Sequence, residues 1–200
     1  MKNFVWLLIA ALMAPFFVAC EESEVEGEFA NWQKRNQLFI DSIAAVAEAD
    51  NTGRWKIFKN YLLPPDDPND LSASKDVNDY VYCYVEQEGE GIVSPMVTDS
   101  TRVNYRVWLL NGDVLDQSFR GEFDASISVP AKFGMYNMIT GWTTALLHMH
   151  VGDVWTVYMP YSLAYGTTGS GSAIPGYSAL KYWINLVGVY PLGTVVSDWQ

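Results

Sequence analysis

From Phe29 to Ala49 the apolar residues Phe29, Trp32, Phe39, Ile40, Ile43 and Val46 recur at helical spacing, with Lys34, Arg35, Asp41 and Glu48 between them. That period predicts an amphipathic α-helix. Asp50-Asn-Thr-Gly53 ends it with turn residues, and Trp55, Phe58, Tyr61 and Leu62 predict a second short helical or irregular piece. Leu63-Pro-Pro-Asp-Asp-Pro-Asn-Asp70 then reads as a stiff, solvated connection. Beyond it the pattern switches to period two, with strands predicted at 79–87, 101–110, 125–129, 153–159 and 180–190, separated by Gly89-Glu-Gly91, Asn111-Gly112 and Val151-Gly-Asp153. Asn111-Gly112 is a hairpin signal, because both residues accept positive φ. One segment breaks the alternation: Ile139 to Met149 carries Trp142, Ala145, Leu146 and Met149 at i, i+3, i+4 and i+7, which predicts a single short helix. The expected fold class is α+β, an antiparallel sheet packing one face on that helix, preceded by a helical N-terminal extension. An exposed apolar stripe of this size is an aggregation hazard, so the extension is expected to dock on the domain; a partner helix or dimerisation are the alternatives.

The first twenty residues stand apart. Lys2 precedes an apolar run from Phe4 to Ala19 that closes in Phe17-Val-Ala-Cys20. The run is shorter than the roughly 20 residues that span a bilayer, so 1–19 reads as an export signal. The closing residues resemble a bacterial lipobox, which implies cleavage before Cys20 and its lipidation, hence attachment to a membrane through a lipid anchor. Glu21, Glu22, Glu24, Glu26 and Glu28 follow, a self-repelling run that makes 20–28 an acidic tether. An acidic stretch after a lipidated Cys is similar to the surface-export signal of Bacteroidetes-type lipoproteins, and the expected location is the outer membrane, periplasmic or cell-surface. The remaining divisions are 29–63 for the helical extension, 64–76 for the linker, 77–192 for the main domain and 193–200 for a C-terminal tail.

Charge narrows the partners. The 200 residues hold 23 acidic and 12 basic side chains, a formal charge of −11, with no cluster of Lys and Arg. The counterion-release drive behind nucleic-acid binding is absent, so no nucleic acid is expected. With Cys20 used by lipid, Cys83 has no intramolecular partner and reads as a small core hydrophobe. There is no Gly-x-Ser-x-Gly, no Gly-rich phosphate loop and no His-Glu-x-x-His. The pair His148 and His150 lacks a third ligand and reads as polar surface residues, so neither metal nor cofactor is expected. Chemistry here must proceed without a strong nucleophile.

The order of motifs is similar to one family. Val103-Asn-Tyr-Arg-Val-Trp-Leu-Leu-Asn-Gly-Asp-Val-Leu-Asp-Gln-Ser118 resembles the hairpin of the FKBP family, the macrolide-binding peptidyl-prolyl isomerases, in which a Tyr begins the strand and an apolar-Asp pair follows the turn. Met138-Ile-Thr-Gly-Trp142 resembles the family's helix start, and Met149 to Pro160, Leu163-Ala-Tyr-Gly166, Ile174-Pro175 and Leu180 to Leu186 continue the similarity in order over 77–192. The resemblance implies a curved antiparallel sheet wrapped around one short α-helix. It also implies a pocket with Trp142 as floor beneath a proline ring and Tyr105, Leu115, Met138, Ile139 and Tyr182 as walls. Tyr165 and the Ile139 N–H would donate to substrate carbonyls, Asp116 would orient at the pocket edge, and Ala164 and Ile174 would touch substrate. Read from the residues alone, Trp142, Tyr105 and Tyr182 are equally core residues, Asp116 a turn cap and Tyr165 a packed loop tyrosine.

Several positions depart from the family pattern. Leu115 and Tyr182 stand where Phe is usual, and a further wall Phe aligns with Ala125 or is missing, which shallows the pocket and weakens macrolide binding. The Gly- and Ser-rich segment Thr167 to Pro175 is expected to be mobile until substrate arrives. The resulting expectation is a membrane-tethered prolyl isomerase acting on proline-containing polypeptides among exported proteins, with a macrolide as a further ligand. The alternatives are a non-catalytic peptide-binding or assembly module using the same groove, and a glycan-binding surface lipoprotein.

Overall fold

The computed structural model describes residues 27–67 and 75–194. The expected export signal, Cys20, most of the expected acidic tether, the middle of the expected Pro/Asp linker and the end of the expected tail lie outside the described residues. Gly27–Ala30 belong with a separate unit, and the fold below is that of the unit beginning at Asn31. Its elements in chain order are α1 (Trp32–Glu48), β1 (Trp55–Lys59), β2 (Tyr80–Gln87), β3 (Ser100–Trp108), β4 (Val114–Gln117), β5 (Ala131–Gly134), α2 (Thr140–Leu146), β6 (Val154–Met159) and β7 (Leu180–Tyr190). The strands form one antiparallel sheet in the order β1-β2-β6-β7-β3-β4, with β5 also paired to β3.

Alternation along β2 explains why both helices pack on this sheet. Val81, Cys83 and Val85 point to the face that carries α2, while Tyr80 and Tyr82 point to the face that carries α1. A strand covered on both sides reads as an almost continuous apolar run, and Tyr80–Val85 is such a run. Cys83 is fully buried, and burial alone pushes its thiol far above the usual range, as befits a core residue. On the α2 face, Val103, Tyr105 and Val107 of β3, Trp155, Val157 and Met159 of β6, and Leu180, Tyr182, Ile184 and Leu186 of β7 close around the helix. Gly141 to Leu146 are all buried, and the hydroxyls of the buried Thr143 and Thr144 donate to the Met135 and Thr140 carbonyls. Gly141 makes this approach possible: a Cβ there would lie 2.9 Å from Met159 Sδ and 3.1 Å from the Leu163 carbonyl.

Helix α1 docks through Ile40, Ala44 and Ala47, with Phe39 and Ile43 alongside, against Tyr80, Tyr82 and Trp55. Phe29 and Val46, counted on the apolar stripe from spacing, are exposed. The predicted helical or irregular piece after Gly53 is instead the edge strand β1. Its register on β2, Trp55 opposite Tyr84 through Lys59 opposite Tyr80, sends Phe58 into the α2 core and Trp55 and Ile57 toward α1.

The hairpin expected at Asn111-Gly112 joins β3 to β4, and one expectation beyond it is corrected. At Asn111-Gly112 only Gly112 has positive φ (94°), while Gly112 N–H bonds Leu109 O and Leu109 N–H bonds Asp113 O, a three-residue loop with a left-handed glycine. The predicted strand 125–129 is a turn with Ile127 and Val129 exposed. The sheet edge there is split: β4 pairs with Arg106–Trp108 of β3 and β5 with Ser100–Val103, so the intervening residues have no strand to pair with. Phe119 and Phe123 from that excursion fold back on Trp183 at ring distances of 5.5 and 4.8 Å.

Candidate active site

The start of α2, the middle of β3 and β7, the strand β4 and the loop after β6 converge on one cavity of 280 Å3. Trp142 is among its lining residues. Three aromatic rings meet the indole edge-on: Tyr105 at 5.8 Å, Phe133 at 5.6 Å and Tyr182 at 5.2 Å, with interplanar angles of 86°, 76° and 69°. Such edge-to-face arrangements favour the aromatic quadrupoles and hold the indole in one orientation. Trp142 is fully buried and its Nε1 finds no acceptor among the described residues, a cost of about 1–3 kcal/mol that the surrounding packing offsets.

Its polar lining residues are Tyr105, Asp116, Tyr165 and Tyr182, of which Tyr105 and Tyr182 are buried. Tyr105 donates its hydroxyl to Asp116 Oδ2 at 2.6 Å, and the Gln117 N–H donates to Asp116 Oδ1 at 2.8 Å, so both carboxylate oxygens are engaged. Asp116 is thereby an orienting acceptor. Burial first, and the hydrogen bond to Asp116 second, push the Tyr105 hydroxyl well above the usual tyrosine range; burial does the same to Tyr182. Both therefore stay protonated donors. Tyr165, 37% exposed, follows the short 3-10 turn Tyr161–Leu163 and precedes Gly166, whose φ of 67° reverses the chain.

Tyr105, Leu115, Asp116, Met138, Trp142, Tyr165, Ile174 and Tyr182 thus share one cavity. Ile139 and Ala164 are packed beside it without lining it; Ile139 is the residue at the α2 start, where a helix leaves N–H groups without intrahelical acceptors. Phe133, Val107 and Ala173 line it without having been singled out from sequence. Phe133 supplies the aromatic wall that the alignment sought at Ala125, and Ala125 is an exposed turn residue. Ala131-Lys-Phe-Gly134 is too short a stretch for its pattern to mark Phe133 as a wall residue.

The loop that carries Ile174, expected to be mobile, is tied to itself. Gly169 N–H bonds Tyr165 O, Ser170 and Ile174 exchange two backbone bonds, and Tyr177 N–H bonds Gly166 O. Positive φ at Gly169 and Gly171 makes the tight reversal possible. His148 is on the surface as expected, its ring stacked on Phe58 at 3.8 Å, and no group of three or more metal-ligating side chains occurs among the described residues.

Comparison with known proteins agrees with this geometry. The family model described as FKBP-type peptidyl-prolyl cis-trans isomerase matches residues 93–187. The chain is 39% identical over 199 residues to the macrophage infectivity potentiator of Trypanosoma cruzi, covering 94% of this chain and 85% of that protein. It is 40% identical over 106 residues to the FKBP-type 22 kDa peptidyl-prolyl cis-trans isomerase of Escherichia coli, covering 52% of this chain and 48% of that protein. In fold it matches the crystal structure of a peptidyl-prolyl cis-trans isomerase from Pseudomonas syringae with a TM-score of 0.57 at 23% identity, over 79% of this chain and 96% of that one. The chain belongs to the FKBP-type peptidyl-prolyl cis-trans isomerases.

Proposed function

We propose that the cavity over Trp142 takes the proline ring of an exported polypeptide and lowers the barrier to rotation about the preceding amide. The observation that supports it is a largely apolar hollow lined by an indole that three rings brace, with Tyr105, Asp116, Tyr165 and Tyr182 as its polar residues and no Ser, Thr, Cys, His or Lys in its described lining. Amide resonance sets a barrier of about 18–20 kcal/mol. The twisted transition state loses that resonance and is less dipolar at its carbonyl, so a water-poor wall favours it over the planar ground state. Trp142, Phe133 and Tyr182 supply that wall. Tyr165, at the rim, donates to a substrate carbonyl, the Ile139 N–H to a second, and the Tyr105–Asp116 pair fixes the pocket edge. Leu115, smaller than Phe, widens the mouth and weakens macrolides relative to peptides.

The N-terminal sequence supports export and lipidation at Cys20, which would hold the domain at the outer membrane. Among the described residues no helix is long and apolar enough to cross a membrane. The test is cis-to-trans exchange in a proline tetrapeptide: acceleration by the full chain, weakened in Tyr165→Phe, is expected, and a rate equal to buffer refutes the reading. Incorporation of labelled palmitate that is lost in Cys20→Ala checks the anchor.

A further inference from the structure

Helix α1 lies outside the segment matched by the family model, yet its side chains reach the base of the loop that forms one wall of the cavity. Trp32 Nε1 donates to Ser178 Oγ at 2.8 Å, and Ser178 Oγ donates in turn to the Pro175 carbonyl at 2.6 Å. One turn along α1, Asn36 Oδ1 accepts from the Ala179 N–H at 2.8 Å, while Asn36 Nδ2 donates to the Trp32 carbonyl at 2.8 Å. Trp32, Asn36, Ser178 and Ala179 are all buried, so water cannot take over either bond. Immediately before these anchors Tyr177 is held at φ 63°. A bulky residue adopts that left-handed conformation only where its surroundings impose it. Pro175 is the neighbour of Ile174, a wall of the cavity, and the same loop is closed at its other end on Gly166.

We propose that Trp32 and Asn36 of α1 are positioning residues for the isomerase site. Through Ser178 and Ala179 they fix the base of the 166–178 loop and thereby the placement of Ile174 against the prolyl ring. The inference rests on the cavity being the substrate site. It assigns the N-terminal extension a part in substrate binding, distinct from tethering: the wall is set in place by a helix about 140 residues away in sequence, by side chains bonded at |i−j| of 146 and 143.

The experiment measures KM and kcat on a proline peptide, with melting temperature, for the full chain and for Trp32→Phe, Ser178→Ala, Ser178→Thr and Ile40→Val. Trp32→Phe keeps an aromatic ring and deletes the donor; Ser178→Ala deletes the relay. Each is expected to raise KM roughly fivefold, the factor matching one lost neutral hydrogen bond, with kcat within about twofold. Ser178→Thr keeps the hydroxyl and restores KM. Ile40→Val thins the packing of the same helix on Tyr80, Tyr82 and Ala179 while leaving both hydrogen bonds to the loop base intact, and should lower the melting temperature without moving KM. Unchanged KM in Trp32→Phe and Ser178→Ala, or an equal rise in Ile40→Val, overturns the proposal. Absence of any activity in the unmodified chain instead overturns the assignment of the cavity as substrate site.

Discussion

Replacing Phe133 by Leu separates the wall of the cavity from the core beneath it. The ring makes edge contacts with Trp142 at 5.6 Å and with Tyr105 at 5.5 Å, and it also lines the cavity. An aromatic pair contributes about 0.5–1.5 kcal/mol beyond area burial. Leucine refills much of the volume, so the net loss in stability is about 1–2 kcal/mol. For a chain of this size that lowers the melting temperature by roughly 2–8 °C, since each kcal/mol shifts it by about 2–4 °C. The folded population at 10 °C remains close to complete, and any loss of rate then reports on the site. With the indole less constrained and one flat wall gone, kcat/KM on a proline peptide should fall about tenfold, equivalent to ~1.4 kcal/mol of transition-state stabilisation. Calorimetry and a coupled peptide assay on the same preparation read both quantities. A lowered melting temperature with kcat/KM within twofold of the parent would refute the reasoning, leaving Phe133 as core alone.

Other perturbations give independent checks. Tyr105→Phe removes the donor to Asp116 while keeping the ring; because Asp116 is exposed and can turn to water, a stability loss of about 1 kcal/mol or less is expected together with a several-fold fall in kcat/KM, read by denaturant melts and the peptide assay. Gly169→Ala should disorder the loop, since its Cβ would lie 2.0 Å from the Ile174 carbonyl at a φ of +73°, whereas Gly171→Ala meets open space and bears only the strain of φ +55°; a larger rise in KM for the first than for the second is expected, and equality counts against the loop geometry. Asp50 accepts from the Thr52 hydroxyl and from the Thr52 and Trp55 N–H groups, foremost the Thr52 side chain, which brings its carboxyl down from 3.8 to about 2. A carboxyl whose folded value is depressed stabilises the fold above its ordinary value and loses that contribution as pH falls toward the folded one. The melting temperature should therefore drop between pH 3.8 and about 2, and drop less steeply in Asp50→Asn.

The strands β2, β3, β6 and β7 are legible in the sequence because each carries six or more residues of apolar run or alternation. The edge is harder. Trp55, Phe58, Tyr61 and Leu62 fit helical spacing as well as they fit a strand, and only the pairing of Lys56 and Ile57 with Cys83 and Tyr82 decides between them. At 125–129 the converse holds: Ser126-Ile-Ser-Val129 alternates, but the edge of β3 is already shared by β4 and β5. Phe133 is hidden for the same reason, since a four-residue strand ending in Gly134 offers too short a pattern to show which way its ring points. The indole of the lining was readable through Met138-Ile-Thr-Gly-Trp142, where Gly141 permits the close helix approach that seats it. The tie from α1 to the loop was not readable at all: Asn36 breaks an apolar stripe, and nothing local says that its partner is Ala179.

The most direct measurement is a set of intermolecular proton NOEs between a proline peptide and the full chain, with Trp142, Phe133 and Tyr182 selectively labelled. Contacts from the prolyl ring protons to the Trp142 indole and the Tyr182 ring are expected, lost in Trp142→Ala. Saturating peptide with no transfer to Trp142, or transfer only to rings outside the cavity such as Trp183 and Phe119, would contradict the assignment of the indole-lined hollow as the place where the amide turns.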